Sequence, residues 1–129
     1  MKSLTQIYKI RASAEKVWNA LVDPKIITKW GGGPATMDEK VGTKFSLWRG
    51  DIRGTNTKVI KNKILQQDWF GGKWASPSKL KFVLKEVSPD TTQLELIQTD
   101  IPDDELDNID DGWKRYYLGP LKELLEKSR

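Results

Sequence analysis

Residues 110–127 read DDGWKRYYLGPLKELLEK, the one stretch of this sequence with the length and spacing of a long helix. Trp113, Tyr116, Tyr117, Leu121, Leu124 and Leu125 recur at helical intervals and lay a wide apolar stripe along one side, which has to be buried. Lys114, Arg115, Lys122, Glu123, Glu126 and Lys127 fall mostly on the opposite side, and Glu123 with Lys127 makes an i,i+4 pair in the better orientation. Asn108 is expected to cap the helix, with Asp110 and Asp111 complementing the positive end of its dipole. Gly119-Pro120 interrupts the pattern. A proline there cannot donate to the carbonyl of Tyr116 and costs about 3 kcal/mol in a straight helix, so a kink is expected.

Working back from this helix, the period changes to two. Thr91 to Thr99 turns Leu94 and Leu96 to one face, and Lys79 to Lys85 turns Leu80, Phe82 and Leu84 inward with Lys79, Lys81, Val83 and Lys85 outward. Lys63 to Phe70 places Leu65, Gln67 and Trp69 together, which sets an amide among apolar neighbours. Asp51 to Ile60 and the strand carrying Thr43, Phe45 and Leu47 precede it, separated by Arg49-Gly50-Asp51. At the other end, Leu4 to Arg11 alternates as a strand. Ser13 caps a short helix through Val22 that buries Val17, Trp18 and Leu21, and Asp23-Pro24 opens a second one to about Trp30. Gly31-Gly32-Gly33-Pro34 lacks the GxxxxGK pattern of a phosphate loop and reads as a flexible connection, a hinge or rim. Short connections make the strands antiparallel. The expected fold is α+β: a curved antiparallel sheet of about six to seven strands wrapped around the long C-terminal helix, two short helices after the first strand, and residues 1–129 forming a single domain.

The 129 residues contain no cysteine and no histidine, which removes disulfides, thiolate or imidazole metal sites and the usual general base. No catalytic residue, cofactor or metal site is expected. The acidic run from Asp103 to Asn108 does not read as a calcium loop, because Asn108 stands where an EF-hand needs glycine and Lys114 where it needs the bidentate glutamate. No apolar run approaches a membrane span, and the N-terminus alternates, so a cytoplasmic monomer is expected. The net charge of +4 is unevenly placed: Asp100 to Asp111 holds seven acidic residues and no basic one, whereas Arg49 to Lys85 holds nine basic against two acidic. Nucleic acid is not an expected partner, since the basic residues are spread over several strands without a recognition signature.

The order of elements and several motifs resemble the START-like, or birch-pollen-allergen-like, helix-grip superfamily, and within it the domain of the activator of heat-shock protein 90 ATPase. The residues carrying the resemblance are Val17-Trp18-Asn19-Ala20-Leu21, Asp23-Pro24 with Trp30, Gly33-Pro34-Ala35-Thr36-Met37 and Lys44-Phe45-Ser46-Leu47. Gly50-Asp51-Ile52-Arg53-Gly54, Trp69, Thr99-Asp100-Ile101-Pro102 and Gly112-Trp113-Lys114-Arg115-Tyr116-Tyr117 continue it. The resemblance spans nearly the whole chain. It implies a helix-grip fold and a heat-shock protein 90 chaperone as partner. The eukaryotic co-chaperone has an additional N-terminal domain that carries much of the chaperone contact, so ATPase stimulation is not carried over.

Two functions from different classes follow. The first is a non-catalytic co-chaperone-like module that meets an acidic partner through Lys79, Lys81 and Lys85. The second is a carrier or sensor of a small apolar ligand held between helix and sheet. Its candidate cavity residues are Gln67, Trp69, Phe82, Trp113, Tyr116 and Tyr117, where a few polar tips on an apolar wall would orient the ligand. A closed, aromatic-filled interior would favour the module, and an opening near Gly31 to Pro34 the carrier.

Overall fold

The computed structural model describes residues 1–127. The chain forms β1 (Lys2–Ile10), α1 (Ala14–Val22), α2 (Pro24–Trp30), β2 (Lys44–Leu47), β3 (Ile52–Ile60), β4 (Ile64–Gly71), β5 (Ser78–Ser88) and β6 (Thr91–Ile101), then a helical C-terminus. The strands make one six-stranded sheet in the order β1-β6-β5-β4-β3-β2, antiparallel throughout. The sheet is open and curved, and the C-terminal helix lies along its concave side, which is the helix-grip architecture.

Local chemistry sets the boundaries of the short helices. The Ser13 side chain accepts from the Lys16 N–H, and Asp23 accepts from the Lys25 N–H with Pro24 in the first helical position. Gly31 ends α2 at φ +110°, a conformation that favours glycine. The segment after it is not a flexible connection. Trp48 donates its backbone N–H to the Gly32 carbonyl at 2.9 Å and its indole N–H to the Gly31 carbonyl at 2.8 Å, which ties residues 31–34 to the β2–β3 turn.

Three features of the C-terminal helix depart from the sequence reading. It starts earlier: a 3₁₀ turn at Asp103–Glu105 leads into α3 (Leu106–Gly112), so Asn108 sits inside the helix rather than capping it. The acidic run tolerates this because carboxylates near a helix N-terminus are favoured by the dipole, and Leu106 and Ile109 extend the apolar stripe backwards onto the core. The helix does not break or turn at Pro120. Instead Trp113–Tyr117 forms a π-helical turn in which the Leu118 N–H reaches the Trp113 carbonyl, and α4 (Leu118–Lys127) follows in the same right-handed conformation. The extra residue is absorbed one turn before the proline. A Cβ on Gly119 would overlap the Lys114 carbonyl oxygen, so the backbone after the π turn needs glycine there. Tyr116, expected in the buried stripe, is 63% exposed, while Leu118 and Leu121 are fully buried.

The core joins Trp18, Leu21 and Ile27 of the short helices to Ile10, Leu65, Phe82, Leu94 and Leu96 of the sheet and to Leu118 and Leu121 of α4. Helix α4 packs on α1, α2 and β1, and α3 packs on β1. A polar chain reinforces that contact. Tyr8 donates its hydroxyl to Gln6 Oε1 at 2.6 Å, and Gln6 Nε2 donates to the Asp110 carboxylate at 2.8 Å. Lys114 pairs with the same carboxylate at 3.2 Å. Gln6 and Lys114 hold the Asp110 carboxyl below the ordinary aspartate range, and burial followed by Asp110 pushes Tyr8 up to about 12.

Candidate functional site

Between sheet and helix runs a row of aromatic rings. Trp30 lies 4.7 Å from Tyr117, Tyr117 lies 4.5 Å from Trp113, Trp113 stacks on Trp69 at 5.5 Å, and Trp69 meets Trp74 edge-on at 5.7 Å between ring centres. These are the separations at which aromatic pairs attract beyond their area burial. Phe82 fills the space below, edge-on to Trp113 at 5.7 Å. The strands dictate this order. Gly54, opposite Trp69 in the ladder, has no room for a side chain beside Phe45 and the Asp68 carbonyl.

Polar groups within the row are satisfied selectively. Trp113 donates its indole N–H to Gln98 Oε1 at 2.8 Å, and Gln98 Nε2 donates to Ser78 Oγ at 3.0 Å, all in the interior. Gln67 Nε2 donates to Asn56 Oδ1 at 3.0 Å. By contrast the Gln67 Oε1 acceptor and the Trp69 Nε1 donor are buried with no hydrogen-bond partner. An unpaired buried polar group costs about 1–3 kcal/mol, so these two atoms mark where the interior is incomplete.

Beside Trp69 the packing opens into a cleft of about 360 Å³. Its apolar wall comes from Trp48, Ile52, Trp69, Ile109, Trp113 and Tyr117, with Asp51, Asn108 and Tyr116 exposed at its mouth. A second depression of about 490 Å³ continues from it, sharing Asp51, Ile52 and Ile109 and adding Trp74, Lys73, Asp104 and Glu105. Trp48 and Arg49 sit at φ +50° and +58°, a conformation that side-chain-bearing residues adopt rarely and at some cost. Trp48 is held there by its indole hydrogen bond to Gly31 and by edge contacts with Trp30 and Tyr117, both 6.0 Å between ring centres. The Tyr117 hydroxyl is pushed far above the usual phenol range by burial.

Of the six cavity residues expected from the sequence, Trp69, Trp113, Tyr116 and Tyr117 line this cleft. Gln67 and Phe82 are buried behind it and do not reach its wall. The mouth lies between the Trp48–Asp51 turn and α3, not at Gly31 to Pro34. Trp48, Ile52 and Ile109 were not foreseen. Ile109 followed from placing the helix start too late, and no local signal marks a non-glycine turn such as Trp48-Arg49.

On the convex face of the sheet, Lys79, Lys81 and Lys85 alternate with buried Leu80, Phe82 and Leu84. Register sets Lys81 beside Gln66 and Ile97, with Lys58 across the next strand, and sets Lys85 beside Gln93. Lys79 is engaged within the chain, donating to the Asp68 carboxylate at 2.6 Å. Ile7, 60% exposed, and the half-buried Ile64, Val83 and Ile97 form apolar ground among these lysines, with Glu95 set between Ile7 and Val83 by the ladder.

Residues 11–126 match the family described as Activator of Hsp90 ATPase homolog 1-like protein. The chain belongs to this family. Among curated relatives it is similar to the activator of 90 kDa heat shock protein ATPase homolog of Dictyostelium discoideum, at 26% identity over 98% of this chain and 34% of that protein. It is also similar to homolog 1 of Homo sapiens, at 23% identity over 86% of this chain and 33% of that protein. The chain therefore spans about a third of the length of the curated relatives it matches. Among solved structures, an HSP90 activator from Plasmodium falciparum superposes with a TM-score of 0.89 at 26% identity, over 97% of this chain and 96% of that one. An Aha1 dimer from Colwellia psychrerythraea shares the fold with a TM-score of 0.82 at 23% identity, over 98% and 97%. Among the described residues no helix is long and apolar enough to cross a membrane.

Proposed function

We propose that this chain is a non-catalytic, co-chaperone-like binding module that docks on a heat-shock protein 90 chaperone through the convex face of its sheet, acting as a cytoplasmic monomer. The family match over residues 11–126 carries the reading. The lysine-bearing face supports it physically, because a row of ammonium groups around apolar ground suits an acidic surface with an apolar centre. The lack of histidine and cysteine in the sequence agrees with a binding rather than a catalytic role. Lys81 and Lys85 carry the test, since neither makes an ion pair among the described residues, whereas reversing Lys79 would set a new carboxylate against Asp68. Lys81→Glu with Lys85→Glu should lower the association rate with a purified chaperone by about tenfold at low salt, with a gap that closes as ionic strength rises and with dissociation little changed. Stopped-flow mixing checks this, and equal association rates for parent and double variant would refute docking on this face.

The aromatic cleft supports a second reading, a carrier or sensor of a small ligand seated between the helix and β3–β4. Its apolar wall and its volume are features such a site needs. Ligand affinity should then fall on Tyr117→Ala and ignore the lysine reversals, as titration calorimetry would read.

A further inference from the structure

The mouth of the cleft is acidic although the net charge of the chain is +4. Asp51 stands at the lip of the 360 Å³ cleft and in the adjoining depression, where Asp104 and Glu105 face it from the helical side. Among the described residues Lys73 is the one cation lining either space, and Arg53 stands next to the depression with its guanidinium on the Gly72 carbonyl at 2.9 Å. Lys114 and Arg115, the nearest basic residues on the helix, are engaged by Asp110 and Asp111 at 3.2 and 2.9 Å. Three carboxylates against the Lys73 ammonium and the adjacent Arg53 guanidinium leave the opening net acidic, which disfavours an anionic ligand and favours a cationic one. Deeper in, Trp69 is 4% exposed and its indole N–H has no partner. That N–H is closed off from solvent, so it gives a ligand in the cleft no polar anchor, and the charge at the mouth is what sets the ligand's class.

We propose that the cleft is a binding site for amphiphilic amines: an apolar or aromatic body between Trp48, Ile52 and Trp113, and an ammonium toward Asp51, Asp104 and Glu105. This rests on the reading that the cleft takes a ligand at all, and adds its chemical class. Fatty acids and other carboxylates are the ligands it rejects.

The test uses three molecules with one aryl-carbonyl body and different charge: the dimethylaminoethyl ester of para-butylaminobenzoic acid, its methyl ester, and the free carboxylate. Titration calorimetry on the whole chain at low salt should rank them cation, neutral, anion, with about a tenfold or greater gap between first and last. The gap should narrow at high salt and in the triple variant Asp51→Asn, Asp104→Asn, Glu105→Gln, whose exposed or half-exposed positions leave the core untouched. A carboxylate that binds as well as the amine overturns the proposed class while leaving the cleft a ligand site. Failure of all three molecules to bind overturns this proposal together with the carrier reading.

Discussion

Tyr117 shows how one side chain ties the sheet to the helix and what that costs at high pH. Its ring touches Trp30, Trp48, Phe82 and Trp113, and burial raises its hydroxyl well above the usual phenol range of about 10. A raised folded pKa means that the native state keeps a proton the unfolded chain gives up. The stability from this group is therefore complete below pH 10 and is lost as pH rises beyond it, at about 1.4 kcal/mol per pH unit. Tyr8, pushed to about 12, acts in the same direction until pH reaches that value. Tyr117→Phe should flatten the fall in urea midpoint between pH 10 and 12 while changing little at pH 7. A parent and variant that lose stability in parallel would mean that the hydroxyl is not buried as described.

At the scale of the element, the C-terminal helix separates what residue pattern can reveal from what it cannot. The apolar repeat from Trp113 to Leu125 identified the helix and its buried side, because burial of a helix face is a periodic demand. The π turn has no periodic signature. It arises because Trp113 and Tyr117 on one side and Leu118 and Leu121 on the other are each fixed by packing, so one residue too many has to be taken up between them. Pro120 allows it, as its ring cannot join the bond to residue 116 in any case. Gly119→Ala should cost about 1–3 kcal/mol through overlap with the Lys114 carbonyl. Pro120→Ala should stay within about 1 kcal/mol, since packing rather than proline sets the register. Denaturant midpoints at unchanged m-value decide this, and a large gain from Pro120→Ala would show the turn to be strain that the proline imposes. The strands were legible for the same reason as the helix, with Leu80, Phe82 and Leu84 and then Leu94 and Leu96 alternating inward. Half of the cleft was not, because Trp48, Ile52 and Ile109 come together only through a left-handed turn and an early helix start.

At the scale of the whole molecule, the two proposed surfaces lie on opposite sides of one sheet. The lysines of β5 look outward, and the acidic mouth of the cleft opens where the helix leaves the concave side. This segregation requires the helix to stay seated, since α3 supplies Asn108 and Ile109 to the cleft and α4 holds α3 in place through its own packing on α1, α2 and β1. Leu118 and Leu121 are fully buried and Leu124 and Leu125 partly so. At about 1.5–3 kcal/mol for each large side chain fully removed from water, these four contribute on the order of 5–9 kcal/mol gross, similar to the net stability of a typical domain. Ending the chain after Tyr117 should therefore abolish cooperative unfolding rather than lower its midpoint, and expose the aromatic row to solvent. Leu121→Ala, a milder cut, should cost about 2–5 kcal/mol and leave the transition two-state. Circular dichroism melts with tryptophan emission as a second probe distinguish the cases. A truncated chain that still melts cooperatively with buried tryptophans would mean that the sheet and the two short helices form the stable body alone, and that α4 serves the cleft and not the fold.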